Sequence, residues 1–415
     1  MNSATPTEVE MLSTDASDHK MSRREIRAGA SLAAIFALRM LGLFLILPIF
    51  AIHAKTLPDG GDVALVGLAM GIYGLTQAFC QIPLGMASDK FGRKPVIIFG
   101  LVLFAVGAVI AAMSHTVMGI LIGRAVQGAG AISAAITALL ADSTREQHRT
   151  KAMAMVGASI GLSFAVSLVF APVLYARLGM DGIFFLIAAM ALAAIAVVTW
   201  IVPAAPALPS AKVPLMDVLK NPDLMRLNFG VFVLHLCMMA KFVIVPSALI
   251  KFADVPLDQH WKVYLPAVFG SFLVMLPIIV RGERQAKMKQ VFVGSIFLLM
   301  AVQLGFWHWL ENGTILMALL FAFFLAFNIL EASQPSLVSR LAPPSAKGAA
   351  LGVYNTLQAL GLACGGVLGG WLQQKMGASS VFIFSAILSL IWLIIAHRMP
   401  QLPGRAAKKV EEFVD

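Results

Sequence analysis

The 415 residues are 59% hydrophobic and 13% charged, against about 45–50% and about 25% in soluble domains. That excludes an ordinary water-soluble enzyme and leaves material for about a dozen bilayer spans of roughly 20 residues each. The net charge of +10 does not point to nucleic acid, because the Lys and Arg residues recur in short runs between apolar stretches, the distribution that sets membrane topology.

Residues 1–26 read as a polar, disordered tail. Twelve apolar runs follow, near 27–53, 63–86, 95–113, 116–141, 150–175, 182–203, 224–250, 262–280, 290–309, 314–340, 347–373 and 378–398. The longest polar interruption, 204–223, carries Pro206, Pro209, Pro214 and Pro222; it separates a six-helix half at 27–203 from another at 224–398, and a second tail occupies 399–415. Of the 31 Lys and Arg, 23 fall on the side of the two termini and five on the other. This predicts a multi-pass protein with both termini and the central linker in the cytoplasm. The expected fold is an all-α membrane protein of twelve transmembrane helices in two six-helix halves, with a site at the midplane between them. Cys80, Cys237 and Cys364 lie inside apolar runs without metal-ligand spacing, so no metal or cofactor is expected. The implied partners are the lipid bilayer, protons and a small-molecule substrate, and the chain reads as a monomer.

Buried charge is the sharpest functional signal, since each charged side chain at the bilayer centre costs about 2.5–3.5 kcal/mol or more. Four such residues stand inside apolar runs: Arg39, Arg124, Lys241 and Glu331. Asn328, Glu331 and Gln334 recur at i, i+3, i+6 as one polar stripe. Glu331 is then a proton carrier, half of a permanent pair with Lys241 or an arginine, or a substrate contact. Arg39 either binds a polar or anionic group or pairs with Glu331. Lys241 lies about 120° around its helix from His235, and His235 alone reads as a packing histidine. Tyr73, Gln77 and Gln81 form an i, i+4, i+8 stripe, Asn355 and Gln358 another, and Arg124 shares a face with Gln127. Such stripes suit a mostly apolar cavity wall or interhelical hydrogen bonding. Gly157-Ala158-Ser159-Ile160-Gly161 fits the G-x-S-x-G hydrolase pattern, but lies inside an apolar run where helix packing explains it. Gly365, Gly366, Gly369 and Gly370 read as a packing or hinge stretch, and no Walker motif is present.

Gly85-x-x-x-Asp89-x-x-Gly92-Arg93-Lys94-Pro95 between spans two and three, and Arg124-Ala125-Val126-Gln127-Gly128-Ala129-Gly130 in span four, resemble two signature motifs of the major facilitator superfamily. Arg39-Met40-Leu41-Gly42-x-Phe44 with Pro48, Phe327-Asn328-Ile329-Leu330-Glu331-Ala332 and Gly352-x-Tyr354-x-Thr356-x-Gln358 are similar to the proton-dependent multidrug-efflux branch, its YajR-type transporters in particular, without their appended soluble domain. The resemblance implies alternating access in a bacterial inner membrane, proton-coupled export of amphipathic compounds, and a coupling role for Arg124. Import or facilitated passage of a polar or anionic metabolite stays open, since span five keeps only Pro172 of the antiporter's Gly-Pro pattern. Asp89 is expected to dock on the N-terminal dipole of span eleven and Arg93 to pair with Asp142, a cytoplasmic latch that the turn-permitting Gly85 and Gly92 allow to close. The bland reading of the basic residues there is topological anchoring.

Overall fold

The computed structural model describes residues 21–203, 215–343 and 347–399. The tails at 1–20 and 400–415 and residues 204–214 of the linker lie outside the described residues. The first helix begins before its apolar run. Ser22 and Glu25 close a reciprocal capping box, Glu25 N donating to Ser22 Oγ (3.2 Å) and Ser22 N to Glu25 Oε2 (2.7 Å), so α1 covers Arg23–Phe44. It stops four residues short of Pro48, whose ring would clash with the Phe44 carbonyl and which brings no N–H to it. Leu47 N takes that carbonyl instead, in a tight turn (3.2 Å), and a short helix, Phe50–His53, follows. The single span expected at 27–53 is therefore broken.

Helices α2 (Val63–Phe91) and α3 (Arg93–Ala112) come next. α4 has two pieces, Val117–Ala129 and Ser133–Asp142, and the unwound Gly130 lies backbone to backbone against Gly100 of α3. The helical stretch Glu146–Ala196 would run about 76 Å if straight, over twice the roughly 30 Å hydrocarbon core. Gly179, at φ 67° and ψ −176°, divides it into α5 (146–178) and α6 (180–196), because only glycine takes that backbone angle without strain. Beyond the linker, a short helix at Leu215–Lys220 occupies part of what the sequence suggested was irregular. Pro222, favoured in a first turn, opens α7 (Pro222–Ala253). α8 (Trp261–Arg284), α9 (Met288–Trp309), α10 (Gly313–Leu341), α11 (Lys347–Met376) and α12 (Ala378–His397) complete the chain. Twelve spans are thus present among the described residues, six on each side of the linker.

Phe79, Leu162, Phe269 and Ile394 are exposed on the outer surface, and Trp200, Trp307, Trp309 and Trp371 are exposed near helix ends. Apolar side chains facing outward with a tryptophan belt at their ends are what a bilayer requires. The ends of the bundle near the two termini form the basic face; the other end is the opposite face.

Contacts between the halves concentrate toward the opposite face. α2 and α11 touch backbone to backbone: a Cβ placed on Gly67, Gly71 or Gly74 would come within 2.3–2.4 Å of the carbonyl oxygens of Gly366, Ala363 and Ala359. α11 meets α7 in the same way through Gly361 and Gly365, so small residues on two faces wedge it between a helix of each half. Phe164 of α5 carries the mid-depth contact, with ring centroids 5.0 Å from Phe44 of α1, 6.5 Å from Phe242 of α7, and 6.1 and 5.5 Å from Phe324 and Phe327 of α10. Further out, Lys55 Nζ donates to Ser247 Oγ (3.0 Å) and Ala64 N to Gln374 Oε1 (3.0 Å). Toward the basic face, Gln81 Nε2 approaches Gly352 O at 3.5 Å, and the Cα positions of Gly157, Gly161 and Gly352 look onto open space.

The loop before α2 is tied to α4 by one carboxylate. Asp59 accepts from Val117 N (2.7 Å) and Met118 N (3.0 Å). Those amides, Val117 first, hold its carboxyl below the usual aspartate value. A depressed folded value means the tie is complete above the unfolded pKa of about 3.9 and is lost as pH falls through the lower folded value. Asp59→Ala should speed hydrogen exchange at the Val117 and Met118 amides at neutral pH while leaving α5 unchanged; equal exchange in both proteins would remove the tie.

Candidate functional site

Two polar clusters sit at mid-membrane depth, one in each half. In the first, the Arg39 guanidinium on α1 donates from Nη1 to Ser133 Oγ (3.0 Å) and from Nη2 to Gln77 Oε1 (3.1 Å). Arg124 on α4 donates from Nη2 to Met70 O (3.4 Å). Both lie over the ring of Tyr73 on α2, with their central carbons 5.7 and 5.1 Å from its centroid. They are 2% and 1% exposed, and neither meets a carboxylate among the described residues. Gln127 is fully buried and its amide finds no partner.

In the second cluster, Glu331 on α10 places Oε2 3.5 Å from His235 Nε2 on α7. Gln358 on α11 reaches both, donating to His235 Nε2 (2.7 Å) and to Glu331 Oε1 (3.4 Å). His235 Nδ1 lies 3.0 Å from Val231 O. With Nδ1–H given to that carbonyl, Nε2 is left to accept from the Gln358 amide. About a fifth of the Glu331 side chain remains accessible. Around it, Asn328 Nδ2 donates to Ser271 Oγ (2.8 Å) and Tyr354 O–H to Gln334 Oε1 (3.5 Å). Asn355 is half-buried on the same helix as Gln358.

Several expectations change. Glu331 pairs with neither Lys241 nor Arg39: its partners are His235 and Gln358, so His235 belongs to the site rather than to the packing. Arg39 stays within its own half. Lys241 lines no open space in this form of the molecule. Its Nζ sits 3.7, 4.2 and 4.3 Å from the ring centroids of Phe323, Phe324 and Phe242, 1% exposed and without a hydrogen-bond acceptor. A recess of about 1040 Å3 opens on the opposite face, bounded by Lys55, Lys251, Trp307 and His308 among others; none of the residues predicted for a substrate cavity borders it. Ser159 Oγ donates to Val156 O (2.7 Å) inside α5, a helix-internal bond with no strand-to-helix elbow.

The expected latch is also different. Arg93 does bind Asp142, Nε to Oδ2 at 3.1 Å, together with Ser88 (2.8 Å) and Asp89. All of these belong to the first half, so the cluster fastens α2, α3 and α4 to one another rather than half to half. Asp89 is half-exposed beside Arg93, and residues 344–346, just before α11, lie outside the described residues. Gly92 sits at φ 95° and separates α2 from α3, and Gly85 faces the methyl of Ala134 in α4. The second half repeats the device with the charges exchanged: Arg340 at the end of α10 donates to Glu283 at the end of α8 (2.7 Å). Arg145 likewise clasps Glu25 of α1 through Nε and Nη2, both at 3.1 Å. On the basic face, these contacts fasten α2 to α3 and α4, and α1 to α5, in the first half, and α8 to α10 in the second.

Twelve spans, paired six-helix units and buried polar clusters at mid-depth define a multi-pass membrane carrier. The family profile of the Major Facilitator Superfamily matches residues 32–366 and, in a second match, 289–413, and the chain belongs to that superfamily. The Inner membrane transport protein YajR of Escherichia coli (strain K12) is 43% identical over 400 residues, covering 95% of this chain and 88% of that protein. Multidrug resistance protein MdtH of Aeromonas hydrophila is 25% identical over 382 residues, covering 90% and 92%. Among solved structures, the inward-facing, occupied form of a bacterial homolog of the human lysosomal transporter Spinster superposes with a TM-score of 0.71 at 12% identity, covering 91% of this chain and 97% of that one. This chain is a secondary transporter and not an enzyme.

Proposed function

We propose that the chain is a proton-coupled exporter of small amphipathic compounds, resident in a bacterial inner membrane with its basic face in the cytoplasm. The observation that carries this reading is the Glu331 carboxylate: it lies at mid-depth against His235 and Gln358, its Oε2 is buried without a hydrogen-bond partner, and no Lys or Arg among the described residues neutralises it. A carboxylate clamped to a guanidinium holds its charge permanently, whereas one beside an imidazole and an amide can take up and release a proton as its surroundings alternate. The names of YajR and MdtH, an inner-membrane transport protein and a multidrug-resistance protein, support the location and the cargo class.

The packing supports alternating access. Ion pairs on the basic face join helices within each half, and contacts between the halves concentrate toward the opposite face, an arrangement that supports motion of the halves as two bodies about the Phe164 layer. The energy is adequate. One charge crossing about 100 mV yields about 2.3 kcal/mol and one pH unit about 1.4 kcal/mol, enough for a cargo gradient of roughly two and a half decades per proton.

The test is proton flux in proteoliposomes with an internal pH dye and a panel of amphipathic compounds. Wild type is expected to release protons against cargo movement in the export sense. Glu331→Gln is expected to lose at least tenfold in coupled flux while still exchanging cargo across the membrane. Flux in Glu331→Gln equal to wild type would end the proton assignment, and cargo and protons moving together would replace export with import.

A further inference from the structure

The region around Tyr73 holds more positive charge than its surroundings balance. Arg39 and Arg124 face one aromatic ring, are almost completely buried and have only neutral acceptors: a serine hydroxyl, a glutamine oxygen and a backbone carbonyl. The Nε atoms of both arginines, the Tyr73 hydroxyl and both amide atoms of Gln127 are buried with no hydrogen-bond partner. Native interiors leave few such groups unmet. A third positive element joins them, because the second piece of α4 starts at Ser133, the residue that Arg39 binds, and so turns the N-terminal end of its dipole toward the same place. Contacts to the Tyr73 ring attract the cations but satisfy none of the unused N–H groups, and ring contacts cancel no charge. Water would fill hydrogen bonds and leave the two charges standing.

We propose that an anionic group binds beside the Tyr73 ring within reach of Arg39 and Arg124, as a halide ion or as the carboxylate of an organic acid. The unused donors are guanidinium N–H, phenol O–H and amide N–H groups, the set that cradles such an anion. Broken transmembrane helices build ion sites from their half-helix ends, and the Gly130–Ile132 interruption of α4 is such a break. The site lies in the first half and is independent of the Glu331 reading.

The test uses purified full-length protein in detergent at constant ionic strength, replacing a bulky sulfonate salt stepwise by sodium chloride or by sodium benzoate and following the unfolding temperature. A saturable rise with chloride is expected for wild type and for the surface control Lys375→Gln, and its loss for Arg124→Gln, since a ligand held only by the folded protein stabilises it. Should Arg124→Gln fail to fold, Tyr73→Phe, which removes one hydroxyl, is expected to move the chloride midpoint up severalfold. Chloride that competes with benzoate supports a site for cargo carboxylates, and saturation by chloride alone supports a resident counter-ion. A response that is the same for every salt, or unchanged in both variants, overturns the proposal and leaves water in the site.

Discussion

Gly71→Leu is expected to part the halves at the opposite face without unfolding either. A Cβ there would stand 2.4 Å from the carbonyl oxygen of Ala363 and 3.2 Å from its Cα, so the clash is with backbone, which cannot turn aside. Overpacking a tight interior costs about 1–3 kcal/mol and sometimes more. The clash lies between helices of different halves, so the cheaper relief is for α2 and α11 to move apart. Disfavouring the closed form by about 3 kcal/mol shifts an equilibrium by about a hundredfold, at 1.4 kcal/mol per decade. Spin labels near the opposite-face ends of α2 and α11 should then report a longer distance in the variant. An unchanged distance with a lower unfolding temperature would show that the clash is absorbed within a half and that α11 does not gate this face.

Lys241→Met should raise the unfolding temperature. The ammonium is surrounded by Phe242, Phe323 and Phe324 and has no acceptor. Its burial at depth costs about 2.5–3.5 kcal/mol on insertion scales, against about 0.5–2 kcal/mol returned by cation–π contact. Methionine fills the same unbranched volume and favours aromatic neighbours. The net gain is on the order of 1–2 kcal/mol, seen as a rise of a few degrees in detergent. A fall instead would mean that the ammonium is held by a charged group when the protein is in a membrane-like environment.

Much of the architecture could be read from periodicity and charge alone. Twelve apolar runs correspond to twelve spans, the first of them broken before Pro48, and the stripe of Asn328, Glu331 and Gln334 does carry polar contacts. What escaped was long-range or local in ways that hydropathy does not record. His235 and Glu331 are 96 positions apart on different helices, and helical spacing ranks faces without saying which faces meet. The interruptions at Pro48 and Gly130 fall within unbroken apolar stretches, where backbone geometry alone ends the helix. Lys241 looked like a cavity residue because a charge in an apolar run suggests water; three phenylalanines show that aromatic faces can take that place. The acid–base loop at Asp89 and Arg93 was visible, but which half its partners belong to was not. Ser133 and Phe164 carried no sequence signal at all, one being a single hydroxyl and the other one of 27 phenylalanines.

The layer formed by Phe44, Phe164, Phe324 and Phe327 has an electrical consequence. These rings offer no chain of hydroxyls along which a proton could hop. Without such a chain, the closed layer gives a proton no hydrogen-bonded path from one face to the other. On the proposed proton coupling, charge would cross only when the two bodies move with a proton or cargo bound between them.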